Sequence, residues 1–337
     1  MRALFIVLLI CFTACSPAAS SPSASPSGET PVTPAPTTGA SPTASATLIP
    51  LPTSGFVAAA SGGGVWMVVA DAHLFLSLNR GETWTERTRP LVPGPQNGAP
   101  AFISAGEGWW LAPGQPGTQC TFQSVTLWKT DDGAATWRKL DATGIDDVRC
   151  KDAVAFSRPG VGYMTAHDTA RPPVIYRTAD GGKSWAISTP LPDPPGFTTS
   201  GGGTTLRVGN IADFGSVLFA DAFGSVEGVT KHFAYRSVDG GATWSYSSTA
   251  LQDSNVVFIT PTRWIQITPP SDSRETTDAG KTWHFFPSDY QQAAPVAPQI
   301  ACGVATTGYA TVRGALQRTL DGGAHWSPLR TPGTYVP

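Results

Sequence analysis

Beyond residue 47 the chain is built from short apolar runs separated by turns rich in glycine and aspartate. Some runs, such as VVFI (256–259), are continuously apolar, as strands buried on both faces are. Others alternate, as in VIYR (174–177) and WAIS (185–188), which is the spelling of paired strands. Two landmarks recur. The first is an apolar strand leading through a turn to an aromatic: Trp66, Trp109, Tyr163, Trp264 and Tyr309, with Val226 standing in for it in the fourth unit. The second is an eight-residue turn, S/T-x-D/N-x-G/A-x-x-W. It reads SLNRGETW (77–84), TDDGAATW (130–137), TADGGKSW (178–185), SVDGGATW (237–244), TTDAGKTW (276–283) and TLDGGAHW (319–326). Its tryptophans (Trp84, Trp137, Trp185, Trp244, Trp283 and Trp326) recur every 39 to 59 residues.

Each position of the turn has a physical reason. The third residue (Asn79, Asp132, Asp180, Asp239, Asp278, Asp321) accepts hydrogen bonds from backbone amides ahead of it and closes an Asx-type turn. A glycine at the fifth takes a positive φ that a side chain resists. The tryptophan opens the return strand, where its ring folds into the core. Asn79 and Ala134 depart from the commonest spelling. One such unit cannot bury both faces of its sheet, whereas a ring of them can. The expected architecture is all-β: a single six-bladed β-propeller of four-stranded antiparallel blades over 47–337, with seven blades, one of them degenerate, as the alternative.

The repeated turn resembles the Asp-box of sialidase-like (BNR-repeat) β-propellers. In that family the box closes the hairpin between the third and fourth strands of a blade, which implies that the six side chains at its third position are staples of the fold. Sialidases of the family also use an arginine triad, a tyrosine nucleophile with a glutamate partner, and an Arg-Ile-Pro signature. Here TLIPLP (47–52) has Leu48 where that arginine belongs, and none of Glu82, Glu86, Glu107, Glu227 and Glu275 precedes a suitable tyrosine. Arg177 and Arg236 sit beside the boxes. The box-rich chain also looks like the photosystem II assembly-factor group, whose propeller docks protein. That likeness implies a non-enzymatic binding or assembly scaffold. The alternatives are a sialidase-type glycosidase and a carbohydrate-binding module.

Charge and composition narrow the partners. Lys and Arg total 22 against 24 Asp and Glu, with no basic run, so phosphate-tracking on nucleic acid is excluded. Residues 1–14 read as an export signal: Arg2, then the apolar core ALFIVLLICFTA (3–14), shorter than the roughly 20 residues a bilayer span needs. FTAC (12–15) resembles the lipobox of bacterial lipoproteins, with Cys15 as the acylated residue, although Phe12 stands where leucine is usual and Cys11 is a rival. Residues 15–46, rich in Ser, Pro, Thr and Ala, read as a disordered tether. The expectation is a monomeric protein, lipid-anchored outside the cell membrane of a bacterium.

Extra chain marks where a ligand belongs. The segments 112–125 and 192–210 lengthen two connections that, in a four-stranded meander, emerge opposite the boxes. Cys120 and Cys150 lie on that same loop face, where an exported protein can join them. Cys302 reads as a buried strand residue. The protein or glycan ligand is expected on this face, with Arg149, Lys151, Arg171, Phe197 and Arg207 as its candidate contacts and Lys231 and His232 beside them. Asp146, Asp147, Asp152 and Asp168 are the loop-face acids a glycosidase would have to pair. No metal or cofactor is expected, since no CxxC or His-rich spacing occurs.

Overall fold

The computed structural model describes residues 55–332 apart from 61–62, 70–72, 92–97, 200–203, 292–297 and 314. The export signal 1–14, Cys15, the tether 15–46 and the segment 47–52 lie outside the described residues. The described chain folds into six four-stranded antiparallel sheets. Blade one is β1 (Gly55–Ala59), β2 (Val65–Val69), β3 (His73–Ser77) and β4 (Thr85–Arg87). Blade two is β5 (Ala99–Phe102), β6 (Gly108–Pro113), β7 (Val125–Thr130) and β8 (Arg138–Lys139). Blade three is β9 (Cys150–Arg158), β10 (Val161–His167), β11 (Val174–Thr178) and β12 (Ala186–Ile187). Blade four is β13 (Arg207–Asp213), β14 (Leu218–Val226), β15 (Val229–Ser237) and β16 (Ser245–Thr249). Blade five is β17 (Val257–Phe258), β18 (Trp264–Gln266), β19 (Arg274–Thr276) and β20 (His284–Phe285). Blade six is β21 (Gln299–Cys302), β22 (Gly308–Val312), β23 (Ala315–Thr319) and β24 (Ser327–Leu329).

Each sheet is made of consecutive strands, so blade follows blade with no strand exchange. Six separate apolar cores hold the ring, one at each seam. Trp66 stacks on Phe102 between blades one and two, and Trp109 on Phe156 between two and three, each with ring centroids 3.6 Å apart. Burying one such large side chain contributes roughly 1.5–3 kcal/mol. The ring closes where blade six meets blade one. There the Gln299 side-chain amide accepts from Val57 N (2.9 Å) and donates to Val57 O (3.1 Å). Arg318 donates to Arg80 O and to the Glu82 carboxylate, and Trp84 Nε1 donates to Arg330 O.

The six boxes share one hydrogen-bond pattern. In blade three Thr178 Oγ1 donates to Asp180 Oδ1 (2.8 Å) and accepts from Gly182 N (3.0 Å). Asp180 accepts from the amide and hydroxyl of Ser184. Five boxes place a hydroxyl at that seventh position, and the sixth uses His325 Nδ1 on Asp321 Oδ2. The fourth position, unassigned on sequence, is left-handed as well: Arg80, Gly133, Gly181, Gly240, Ala279 and Gly322 all have φ between 60° and 77°. Box tryptophans lie buried or half-buried beside the turn, and Trp185 Nε1 returns a bond to Gly182 O.

One landmark moves. In blade four the residue equivalent to Tyr163 is Phe219: Phe219 pairs with Arg236, next to the box, as Tyr163 pairs with Arg177. Val226 is instead the last residue of β14. The reason is length. β14 and β15 each run nine residues, so the surplus before the fourth box builds a long hairpin as well as a connection.

Candidate functional site between blades three and four

The first strands line one another around the inside of the ring, β1 by β5, β5 by β9, and β9 by β13. Residues that open β9 and β13 therefore stand at the inner mouth on the loop face, and those that end them stand on the box side.

On the loop face Cys120 and Cys150 are joined, tying the connection between β6 and β7 to the first residue of β9. The next residue, Lys151, is fully enclosed: its side chain has 0% exposure. Its ammonium donates to the carbonyls of Asp146 (2.5 Å), Val148 (3.0 Å), Arg149 (3.1 Å) and Gln123 (3.2 Å), and burial lowers its pKa. Lys151 thus organises the mouth from inside, and a ligand does not reach it. Phe197 is withdrawn for a related reason. It packs against Phe233 in the core between blades three and four, with Leu206 from the same insertion and Leu191 just before it. That connection is pinned further by Thr199, whose hydroxyl and amide donate to Asp193. Arg149 is also nearly buried, its guanidinium 3.7 Å from Asp168. Of the expected contacts, Arg171 and Arg207 keep solvent access, with side chains 49% and 46% exposed.

Arg171 rests on a buried carboxylate and Arg207 on a half-buried one. Arg171 Nε donates to Asp168 Oδ2 (2.6 Å), while Asp168 Oδ1 accepts the amides of Ala170 and Arg171. Arg207 Nη2 donates to Asp152 Oδ1, and Asp152 Oδ2 is bonded to His167 Nδ1 (2.6 Å). The Arg207 guanidinium lies 5.8 Å over the Phe223 ring, which stacks on His232. His232 Nδ1 is bonded to fully buried Asp221, which also accepts Val256 N from blade five. Desolvation raises the Asp221 pKa despite those bonds. The loop-face acids of the mouth, Asp152 and Asp168, are both spent on cations, and Asp146 accepts from Tyr176 Oη (2.7 Å).

The box side carries a recess of about 420 Å³, away from the face expected to bind. It is lined by Arg158, Tyr163, Arg177, Trp185 and Ser184, with Gly240 of the fourth box at its edge. Asp213, at the end of β13, accepts from Ser157 Oγ (2.7 Å), Arg158 Nη1 (3.0 Å) and Tyr163 Oη (3.1 Å). Burial, then the Asp213 charge, pushes the Tyr163 phenol above its ordinary value. Arg177 Nε is buried with no partner among the described residues. Sequence reasoning placed Arg177 beside the boxes but missed the recess, because Arg158 and Asp213 come from separate strand ends.

Elsewhere, Cys302 ends β21 partly buried, its thiol pushed up to about 12 by desolvation. Among the described residues no group of three or more His, Cys, Asp or Glu is arranged to hold a metal.

No protein-family model and no curated protein sequence matches the chain. Among solved structures it is similar to a protein of unknown function from Dyadobacter fermentans, at TM-score 0.50 and 12% identity over 84% of this chain and 96% of that one. It is also similar to YCF48 from Cyanidioschyzon merolae (TM-score 0.48, 16% identity, 83% and 86% covered) and to the Hadza microbial sialidase Hz136 (0.48, 13%, 78% and 65%). At these identities the likeness is one of fold.

Proposed function

We propose that the protein is a non-enzymatic binding or assembly scaffold, held outside a bacterial cell membrane by a lipid on Cys15. In this reading it engages a partner protein through the recess between blades three and four. The observation that carries the reading is Arg177 Nε, buried at the recess and unpartnered among the described residues, with Arg158 beside it. The Arg177 side chain lines the recess, where a guanidinium offers an incoming carboxylate charge-assisted hydrogen bonds. The Trp185 ring supplies an apolar wall.

Glycoside hydrolysis is the second reading, favoured by the Tyr163–Asp213 pair flanked by two arginines. The chemistry opposes it. A tyrosine nucleophile must lose its proton, and Asp213 both disfavours the phenolate and is held by Arg158 and Ser157, which weakens it as a base. The test assays a panel of sialosides and other glycosides beside affinity capture from the native membrane. No turnover, and a captured protein lost on Arg177→Ala, is the expected result. Turnover that Tyr163→Phe abolishes replaces the scaffold with an enzyme.

A further inference from the structure

The loop face at the other end of the same seam carries a second surface, and it does not depend on the recess. Its two exposed cations are fixed in advance. Arg171 is held by a carboxylate that is 3% exposed and Arg207 by one that is 11% exposed. Neither anchor is free to move, since Asp168 also accepts two amides of its own turn and Asp152 is clamped by His167. A guanidinium has five N–H donors. Beyond the bond to its aspartate, neither guanidinium has a further hydrogen-bond partner among the described residues. Fixing such a side chain before a ligand arrives lowers the ordering cost of binding.

Apolar groups stand beside these cations. Phe122 is 50% exposed and Val148 38%. Phe122 lies on the β6–β7 connection and Val148 on the β8–β9 connection, and the two are linked where Gln123 N donates to Asp147 O and where Cys120 is joined to Cys150. Thr169 Oγ1 joins the β6–β7 connection to the Asp168–Arg171 turn through Gln119 O. On the far side Val229, 57% exposed, tips the β14–β15 hairpin whose Phe223 lies under Arg207. The surface thus runs from Phe122 and Val148 across Arg171 and Arg207 to Val229. Arginine with aromatic and aliphatic side chains is the composition of a protein-docking patch. Exposed Asp146 and Asp147 at its rim repel an anionic bilayer and favour a partner whose charges are placed rather than uniform.

We infer that this face docks an acidic protein segment, with carboxylates seated on Arg171 and Arg207 and an apolar side chain set against Phe122 and Val148. The test uses the disulfide-bonded protein and fluorescence anisotropy of short labelled peptides carrying two glutamates around a phenylalanine. Glutamine counterparts, oligogalacturonate and inorganic sulfate are the comparison probes. The glutamate peptide is expected to bind more tightly than every comparison probe, and less tightly as salt rises. Arg171→Gln with Arg207→Gln is expected to weaken it about tenfold or more, a typical result of removing paired interfacial charges, while Arg177→Ala leaves it unchanged. Circular dichroism and Phe122→Ser, which removes no anchor from a buried aspartate, separate lost docking from lost folding. Equal affinity for glutamate and glutamine peptides overturns the inference. So does a folded double variant that keeps full affinity, and tighter binding of oligogalacturonate reassigns the face to acidic glycans.

Discussion

The first-position hydroxyl of each box is its most buried polar element. Thr178 is 5% exposed and carries both the Asp180 carboxylate and the Gly182 amide. Thr178→Val keeps the shape and orphans that amide, so a loss of about 1–3 kcal/mol is expected in denaturant melts, with Thr178→Ser restoring most of it. The carboxylates add a pH signature. Side-chain bonds from Thr136, Ser184 and Thr282 hold Asp132, Asp180 and Asp278 at about 2, below the ordinary 3.8. For Asp321, burial works upward, but the His325 amide and ring win and hold it at about 2. Groups depressed in the folded state stabilise fully above 3.8 and lose that contribution as pH falls towards 2. Tryptophan fluorescence is therefore expected to hold steady above that window and change within it, and Asp180→Asn is expected to remove one share of the change, since Asn79 fills the same role in blade one. Arg80 tests the backbone. At φ 60° it pays a left-handed cost of about 1–2 kcal/mol. Against the lost chain entropy of roughly 0.5–1 kcal/mol, Arg80→Gly is expected to be neutral to stabilising.

Among elements, the connection between β6 and β7 depends on its covalent tie. The bridge spans a sequence separation of 30 residues, and opening such a loop in the unfolded chain costs about 3–4 kcal/mol of stability. The Cys120→Ser, Cys150→Ser variant is expected to lose that much stability in denaturant melts and to expose Lys151 to acylating reagents, with mass spectrometry reading the modification. What was legible in the sequence follows element type. Boxes announced themselves because a left-handed turn admits few residues at each position. The number of blades and the side on which the two long connections emerge followed from their spacing. Lys151 and Phe197 were misplaced because charge and exposed-loop position suggested contact, whereas four backbone carbonyls and an aromatic core, both assembled from distant segments, took them inside. The Arg158–Asp213–Tyr163 convergence was invisible for the same reason: it joins residues 50 and 55 positions apart through the seam of two blades.

For the whole molecule, six seams with six cores hold the blades together, and the chain departs from regular repetition where blades two, three and four meet. Both candidate surfaces lie there, at opposite ends. Anchoring belongs to this scale too: metabolic labelling with a radioactive fatty acid is expected to mark the wild-type protein, and Cys15→Ser is expected to release it unlabelled into the medium. The recess is tested most directly by site-specific photo-crosslinking from a reactive side chain in place of Ala179, which lines it, in native membranes. A discrete protein adduct that disappears with Arg158→Ala and with Arg177→Ala is predicted. An adduct indifferent to both arginines, or no protein adduct at all, contradicts the scaffold.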